Sequence, residues 1–352
     1  MATSKPTSDT ASASTGEAVP ATAPHAAAAN EATARPQAPL IAADRVELWK
    51  KHSYFETLPE DIAPMRQLLR DYSLMPADAI DAHLYAVRDK LWSVYQYPCI
   101  GRFAFLSLGI TKSPYYQEAV TRLTLASAAL NHERLLDLGC CVGQVLRQMA
   151  HDGVDPHKLS GADLHREFID LGYEMFGDGA GESGETGADG FTFVAGDILA
   201  DGPSPLDALT QSVTMVHAAN FFHLFSWNDQ VKAAVRVVQF LSDAHTSSDT
   251  STGSADDKAT GISVFGAQLA HRVPGEHRIV PHSPRTRYLH DATTFQKLWD
   301  EVGAATGTRW RTAMVPTASG IGEALTGSPD VMYVRYGVWC ASGKGYKREQ
   351  KE

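Results

Sequence analysis

Between Arg134 and Cys340 the chain alternates short apolar runs with helical stripes, and this alternation is its tightest constraint on fold. Arg134 to Leu138 is an apolar run ending at Gly139. Val142, Val145, Leu146 and Met149 then recur at i, i+3, i+4 and i+7 until Gly153. Leu159 to Leu164 reads as a strand, with Leu164, Phe168, Leu171 and Met175 as the next helix face. Phe191 to Ala195, Val213 to His217 and Ile262 to Leu269 supply three more strands. Ser226-Trp-Asn-Asp229 has the pattern of a capping box, ahead of a helix buried through Val231, Ala234, Val235 and Val238. Asp291 caps a helix carrying Phe295, Leu298, Trp299 and Val302, closed by Gly303. Trp310 to Val315 and Val331 to Trp339 end the series with no clear helix between them. Parallel neighbours need long right-handed crossovers, which helices provide. The expected fold is α/β, a doubly wound, mostly parallel seven-stranded sheet. Its last two strands should form an antiparallel hairpin at one edge.

The remaining segments read differently. Residues 1–40 are dominated by Ala, Ser, Thr and Pro and contain no aromatic residue, so they have nothing to bury and are expected to be a disordered tail. Residues 41–130 carry a helical stripe (Ile80, Leu84, Val87, Leu91) and many aromatics, which predicts a helical N-terminal cap packed on the sheet. The sheet domain spans 131–341, with glycine-rich and Ser/Thr-rich surface loops at 177–190 and 244–261, and 342–352 is a polar tail.

Composition narrows the function classes. The chain has 352 residues, 43% of them hydrophobic and 20% charged, enough for a sizeable core. Its formal net charge of −10 argues against a broad nucleic-acid face, which needs clustered Lys and Arg. No run of about 18 apolar residues occurs, so no membrane span is expected. The four cysteines form no C-x-x-C pair, which suits a reduced, cytoplasmic protein. The oligomeric state does not follow from these residues, and a homodimer is compatible with them.

Open α/β sheets bind ligands beyond the carboxyl ends of their strands. The first strand ends in Asp137-Leu-Gly-Cys-Cys-Val-Gly143. Gly139 permits a tight turn and Gly143 lets the next helix approach, so a ligand could lie against the backbone from Gly139 through Cys140. The second strand ends in Asp163, whose carboxylate can accept from both hydroxyls of a ribose. The third ends in Gly196-Asp197-Ile198, where Asp197 could accept from an adenine amine and Ile198 cover the ring. Each signal alone is weak. In this order they point to a nucleoside site.

These motifs resemble the class I S-adenosylmethionine-dependent methyltransferases, over about Glu133 to Trp339. Leu136-Asp-Leu-Gly-Cys-Cys-Val-Gly-Gln144, Leu171-Gly-Tyr173, Phe222-His-Leu-Phe-X-Trp227, His52-Ser-X-Phe-Glu-Thr-Leu-Pro59, Arg70-Asp-Tyr72 and Pro98-Cys-Ile-Gly-Arg-Phe103 are similar to a fungal group acting in meroterpenoid and related secondary-metabolite pathways, andrastin- and austinol-type routes included. Cys141 departs from the wider superfamily, which commonly has glycine there. The resemblance implies a Rossmann-like methyltransferase fold and S-adenosyl-L-methionine as cofactor. It implies cofactor contacts near Asp137 and Gly139, at Asp163 and Leu164, and at Asp197 and Ile198. It also implies O-methylation, at carboxyl or hydroxyl, of a small-molecule acceptor. One rival is an NAD(P)-dependent oxidoreductase. It would want glycine at position 141 and a third glycine in register to seat a pyrophosphate, and both are missing. A non-catalytic, cofactor-binding regulator is the other.

A carboxylate acceptor is already ionised at neutral pH and needs no base, whereas a phenol or alcohol does. His217 and His223 flank the end of the fourth strand. His223 is the candidate catalytic residue, with the plainer role of shaping the acceptor site set beside it. His271, His277, His282 and His290 match no standard zinc spacing, so no metal is expected and the segment reads as a polar loop near the acceptor. Arg272, Arg278, Arg285 and Arg287 in the same stretch read as solvated surface charge. Tyr95, Tyr97, Phe103 and Phe222 are candidates for lining an apolar acceptor pocket.

Overall fold

The computed structural model describes residues 53–125, 132–179, 190–242, 261–278, 285–317, 326 and 328–341. The expected tails, the ends of the cap, most of both inserts and His282 lie outside these residues. The sheet has seven strands: β1 (Leu135–Leu138), β2 (Leu159–Asp163), β3 (Thr192–Ala195), β4 (Met215–His217), β5 (Val264–His271), β8 (Trp310–Pro316) and β9 (Val331–Cys340). A separate hairpin pairs β6 (Gly275–Arg278) with β7 (Thr286–Leu289). Across the sheet the order is β3-β2-β1-β4-β5-β9-β8. Pairing is parallel from β3 through β5, and β9 is antiparallel to both of its neighbours. The reversed strand is therefore inserted between β5 and β8 and is not the edge itself.

Among the described residues, seven helices of eight or more residues, labelled here in chain order, accompany the strands. Ala63–Asp71 (α1) and Ile80–Val94 (α2) precede Pro114–Thr124 (α3). Gln144–His151 (α4) and Arg166–Phe176 (α5) follow β1 and β2. Trp227–Phe240 (α6) and Ala292–Thr306 (α7) follow β4 and β7. Strand alternation sorts the core into layers. Leu136 and Val216 join Ala234, Val237, Leu298 and Trp299 on the α6/α7 face. Leu135, Met215 and Phe265 join Tyr116, Leu123, Leu146 and Met149 on the α3/α4 face. The cap forms a third layer, in which Met65, Leu84, Leu91 and Phe103 pack with Val142, Phe168 and Met175.

Local chemistry explains most boundaries. Ser226 accepts from the Asp229 amide to start α6, but Asp229 takes the Ser226 hydroxyl instead of completing a box. The free Trp227 amide is instead met by Glu276 of the hairpin, at 3.1 Å. Asp291 caps α7 through a reciprocal box with Thr294. That helix runs through Gly303 and is closed by Gly307, whose φ of +70° gives the left-handed stop. Gly303 serves packing, since a Cβ there would lie 2.6 Å from the Thr308 carbonyl oxygen. Leu164 lies before α5 and is exposed, so it is not part of that helix face. The segment expected as a polar loop after β5 is the β6–β7 hairpin.

Candidate active site

Strand order reverses between β1, from which the chain proceeds outward to β2 and β3, and β4, from which it proceeds the other way to β5. The crevice of a doubly wound sheet opens at this point. Asp137 and His217 face each other in register across it. His217 Nδ1 donates to Asp137 Oδ1 at 2.7 Å, and both side chains are buried. This contact holds one oxygen of the Asp137 carboxylate, while His217 Nε2 is buried without a hydrogen bond among the described residues.

The turn after β1 is held almost entirely by its own chain. The Gly139 and Cys140 amides both donate to Ala162 O, at 2.8 and 3.0 Å. The Cys141 amide donates to Asp163 Oδ2 at 2.8 Å, and the Gly143 amide to Cys140 O at 2.7 Å. These four donors are engaged within the chain. Gly139, Cys141 and Gly143 all have positive φ, of +74°, +52° and +62°. Cys141 thus adopts a conformation that glycine takes more cheaply. A Cβ at Gly143 would meet Arg147 Nη1 at 2.7 Å and the Phe193 ring at 3.0 Å, so this glycine makes room for protein, not for ligand. The Cys140 side chain is buried in the α3/α4 layer.

Arg147 anchors this turn, and sequence reading missed it. The guanidinium is buried, donates to Val142 O at 2.9 Å and pairs with both oxygens of Asp178 at 2.6 and 2.7 Å. Tyr72, just past α1, donates to the same carboxylate at 2.9 Å. Tyr173, Phe176, Phe191 and Phe193 surround the guanidinium. Asp178 was read as the start of a mobile insert, because nothing local marks a partner 31 residues away.

The two aspartates lie at neighbouring strand tips. Asp163 pairs in register with Ala195, and the Gly196 amide donates to Asp163 O at 2.9 Å. Asp197 therefore follows directly beside Asp163, and Ile198 is buried behind it. Asp163 Oδ1 also accepts from the His165 amide at 3.1 Å, and Asp197 Oδ1 from the Leu199 amide at 2.9 Å. Each Asp163 oxygen keeps a second lone pair for a ligand donor. Burial pushes the Asp163 carboxyl above its usual value, against the pull of its amide partners. From the cap, Cys99 is exposed at this crevice yet crowded enough that its thiol is pushed up to about 11. It lies within electrostatic reach of Asp163, Cys141 and Tyr333. Tyr95 and Tyr97 stack on each other and on His165, beside the exposed Leu164.

On the acceptor side, Phe103 and Phe222 are core residues and do not line a pocket. His223 sits in a 3-10 turn, Phe222–Leu224, and is only 6% exposed. Burial and the nearby Arg287 lower it to about 3, so it is a neutral imidazole at physiological pH. A base so weak has little drive to take a proton from a phenol. No group of three or more metal-ligating side chains exists among the described residues.

Comparison with known proteins decides the family. The O-methyltransferase phiE of a fungal species is 36% identical over 286 residues, 81% of this chain and 86% of that protein. The chain belongs to the fungal O-methyltransferase family that phiE represents. O-methyltransferase atr3 of Stereocaulon alpinum is 35% identical, over 77% of this methyltransferase and 71% of its own length. The Asnovolin E/Chermesin D methyltransferase nvfJ of Aspergillus novofumigatus is 31% identical, over 70% and 78%. Residues 49–106 match the family model described as the meroterpenoid methyltransferase N-terminal domain. The cap of this methyltransferase thus carries the family signature, and its Pro98–Gly101 turn places Cys99 at the crevice.

The four named amides of the turn before α4 are engaged within the chain. An adenosyl ligand with a ribose diol and an ammonium group brings donors of its own, which suit the Asp163 and Asp197 carboxylates.

Proposed function

We propose that this enzyme methylates an oxygen of a small, apolar secondary metabolite, of meroterpenoid or polyketide-derived type, with S-adenosyl-L-methionine as donor. The observation that carries the reading is the adjacency of Asp163 and Asp197 across the β2–β3 tips, held by the Gly196 amide. The names of its relatives support the acceptor class. In this reading Asp163 receives the ribose diol, Asp197 the adenine amine, and Leu164 and Ile198 cover the base. The bound donor supplies an already activated methyl group, so the protein's task is alignment and exclusion of water. His223, kept neutral by burial, shapes the acceptor site and does not serve as a base. None of the described helices is long and apolar enough to cross a membrane. All four thiols are free, which supports a reducing, cytoplasmic setting.

The test is turnover of labelled methyl donor with extracts of fungal metabolites, alongside melting curves with S-adenosylhomocysteine and with NAD(H). Methyl transfer with stabilisation by S-adenosylhomocysteine alone is expected. Stabilisation by NAD(H) alone would overturn the reading. S-Adenosylhomocysteine binding with no transfer to any acidic or hydroxylated acceptor would favour a non-catalytic binder.

A further inference from the structure

We propose that Arg287, with His223 and His277 beside it, forms an anion-receiving pocket that seats a carboxylate of the methyl acceptor. The inference rests on the methyltransferase reading and adds the residue that selects the substrate.

Arg287 is not the solvated surface charge expected of this segment. It lies on β7, directly opposite His277 of β6. Its Nε is enclosed and makes no hydrogen bond among the described residues. The same is true of His223 Nδ1 and His277 Nε2. His223 is more than nine-tenths buried, and Arg287 is close enough to perturb it. The Tyr288 amide donates to Phe225 O at 2.8 Å, which lays β7 along the end of the turn that carries His223. His277 stacks on His271, the last residue of β5, at 4.2 Å between ring centres. The cluster is thus one guanidinium and three imidazoles, with Glu276, within electrostatic reach of His277, as the neighbouring carboxylate.

Two of the neighbouring acids have partners of their own. Glu276 accepts the Trp227 amide, and Asp291 caps α7. Residues 279–284 read Ile-Val-Pro-His-Ser-Pro and contain no acid. Among the described residues these histidines form no group of three or more ligands that could hold a metal ion. Enclosed donors without acceptors call for an anion, and the planar edge of a guanidinium matches the two oxygens of a carboxylate.

Position ties the pocket to catalysis. Both β4, which leads into the His223 turn, and β5, which leads into the hairpin, run parallel to β1 and end at the same sheet edge as Gly139 and Asp163. Asp163 and Asp197 occupy the β2/β3 half of that edge, and Arg287 lies on the β4/β5 half. Leu269, Leu289, Val331 and Tyr333 form an apolar cluster on the same side, which suits an acid with a hydrophobic body.

The test uses the full chain saturated with S-adenosylhomocysteine and calorimetric titration with 2-naphthoate, 2-naphthamide and inorganic phosphate. Wild type should bind naphthoate at least tenfold more tightly than naphthamide and more tightly than phosphate. Arg287→Gln should erase that preference, and Arg287→Lys should keep part of it. Equal affinities for acid and amide, no naphthoate binding at millimolar concentration, or an unchanged preference in Arg287→Gln would overturn the assignment. Tighter binding of phosphate would overturn the choice of carboxylate. If Arg287→Gln melts without cooperativity, Arg287→Lys decides: an undiminished preference counts against the guanidinium fork. S-Adenosylhomocysteine affinity on the same samples separates the two levels. Wild type that does not bind it sinks the methyltransferase reading, whereas normal binding without acid preference sinks only the Arg287 pocket.

Discussion

Two single residues govern the cofactor side in opposite ways. Asp163 both props the turn, through the Cys141 amide, and offers its remaining lone pairs to a ligand. Asp163→Ala should weaken S-adenosylhomocysteine binding by about 1–3 kcal/mol, the range for a lost hydrogen bond to a charged group. Calorimetry giving an unchanged affinity would remove Asp163 from the site. Cys141 carries backbone strain at φ +52°. Cys141→Gly should change stability by less than about 1 kcal/mol, because relief of strain and gain of unfolded-state entropy oppose each other. Cys141→Val should cost about 1–3 kcal/mol, since a β-branched residue resists this conformation. Urea melts in which Val is tolerated as well as Gly would show that the turn is not held left-handed.

At the scale of elements, the joint between α1, α4 and the end of α5 rests on buried charge. Arg147 and Asp178 are enclosed together, and Tyr72 fills a further lone pair of the acid. Arg147→Met should destabilise the protein by about 3–5 kcal/mol, because Asp178 is left charged and buried. Arg147→Met combined with Asp178→Leu should recover most of that loss. Denaturant unfolding in which the double variant is weaker than the single one would refute the uncompensated-charge account. The end of α7 makes a second comparison. Gly307→Ala meets only the left-handed penalty, about 1–2 kcal/mol. Gly303→Ala drives a methyl into the Thr308 carbonyl and should cost more. Thermal melts that rank them the other way would contradict this packing.

For the whole molecule, buried neutral histidines set the response to acid. His223 is lowered to about 3 and His290 to about 4, both mainly by burial. The unfolded chain therefore binds more protons than the folded one below the ordinary histidine value of about 6.5. Stability is full above that pH and falls as pH drops toward the folded values. Each histidine contributes a slope of about 1.4 kcal/mol per pH unit between roughly pH 6 and 4. Asp163, raised by burial, works in the opposite direction at the acid end. His223→Gln should flatten the fall in melting temperature over this window. An equal slope in wild type and variant would mean that His223 is not enclosed in the folded state.

Sequence alone determined the alternating sheet, because period-2 and period-3.6 patterns are local records of which face each residue buries. It also placed Asp163 and Asp197 at successive strand tips, since parallel crossovers force those tips to one edge. Tertiary structure decided what no local pattern encodes. Asp137 meets His217 only because register sets the two strands side by side. Phe103 and Phe222 look like pocket walls until packing closes over them. Arg147 finds Asp178, and Arg287 Nε is left without a partner among the described residues, only through contacts between segments distant in the chain. Periodicity reports burial, whereas the partner of a buried charge is fixed by where separate elements come to rest.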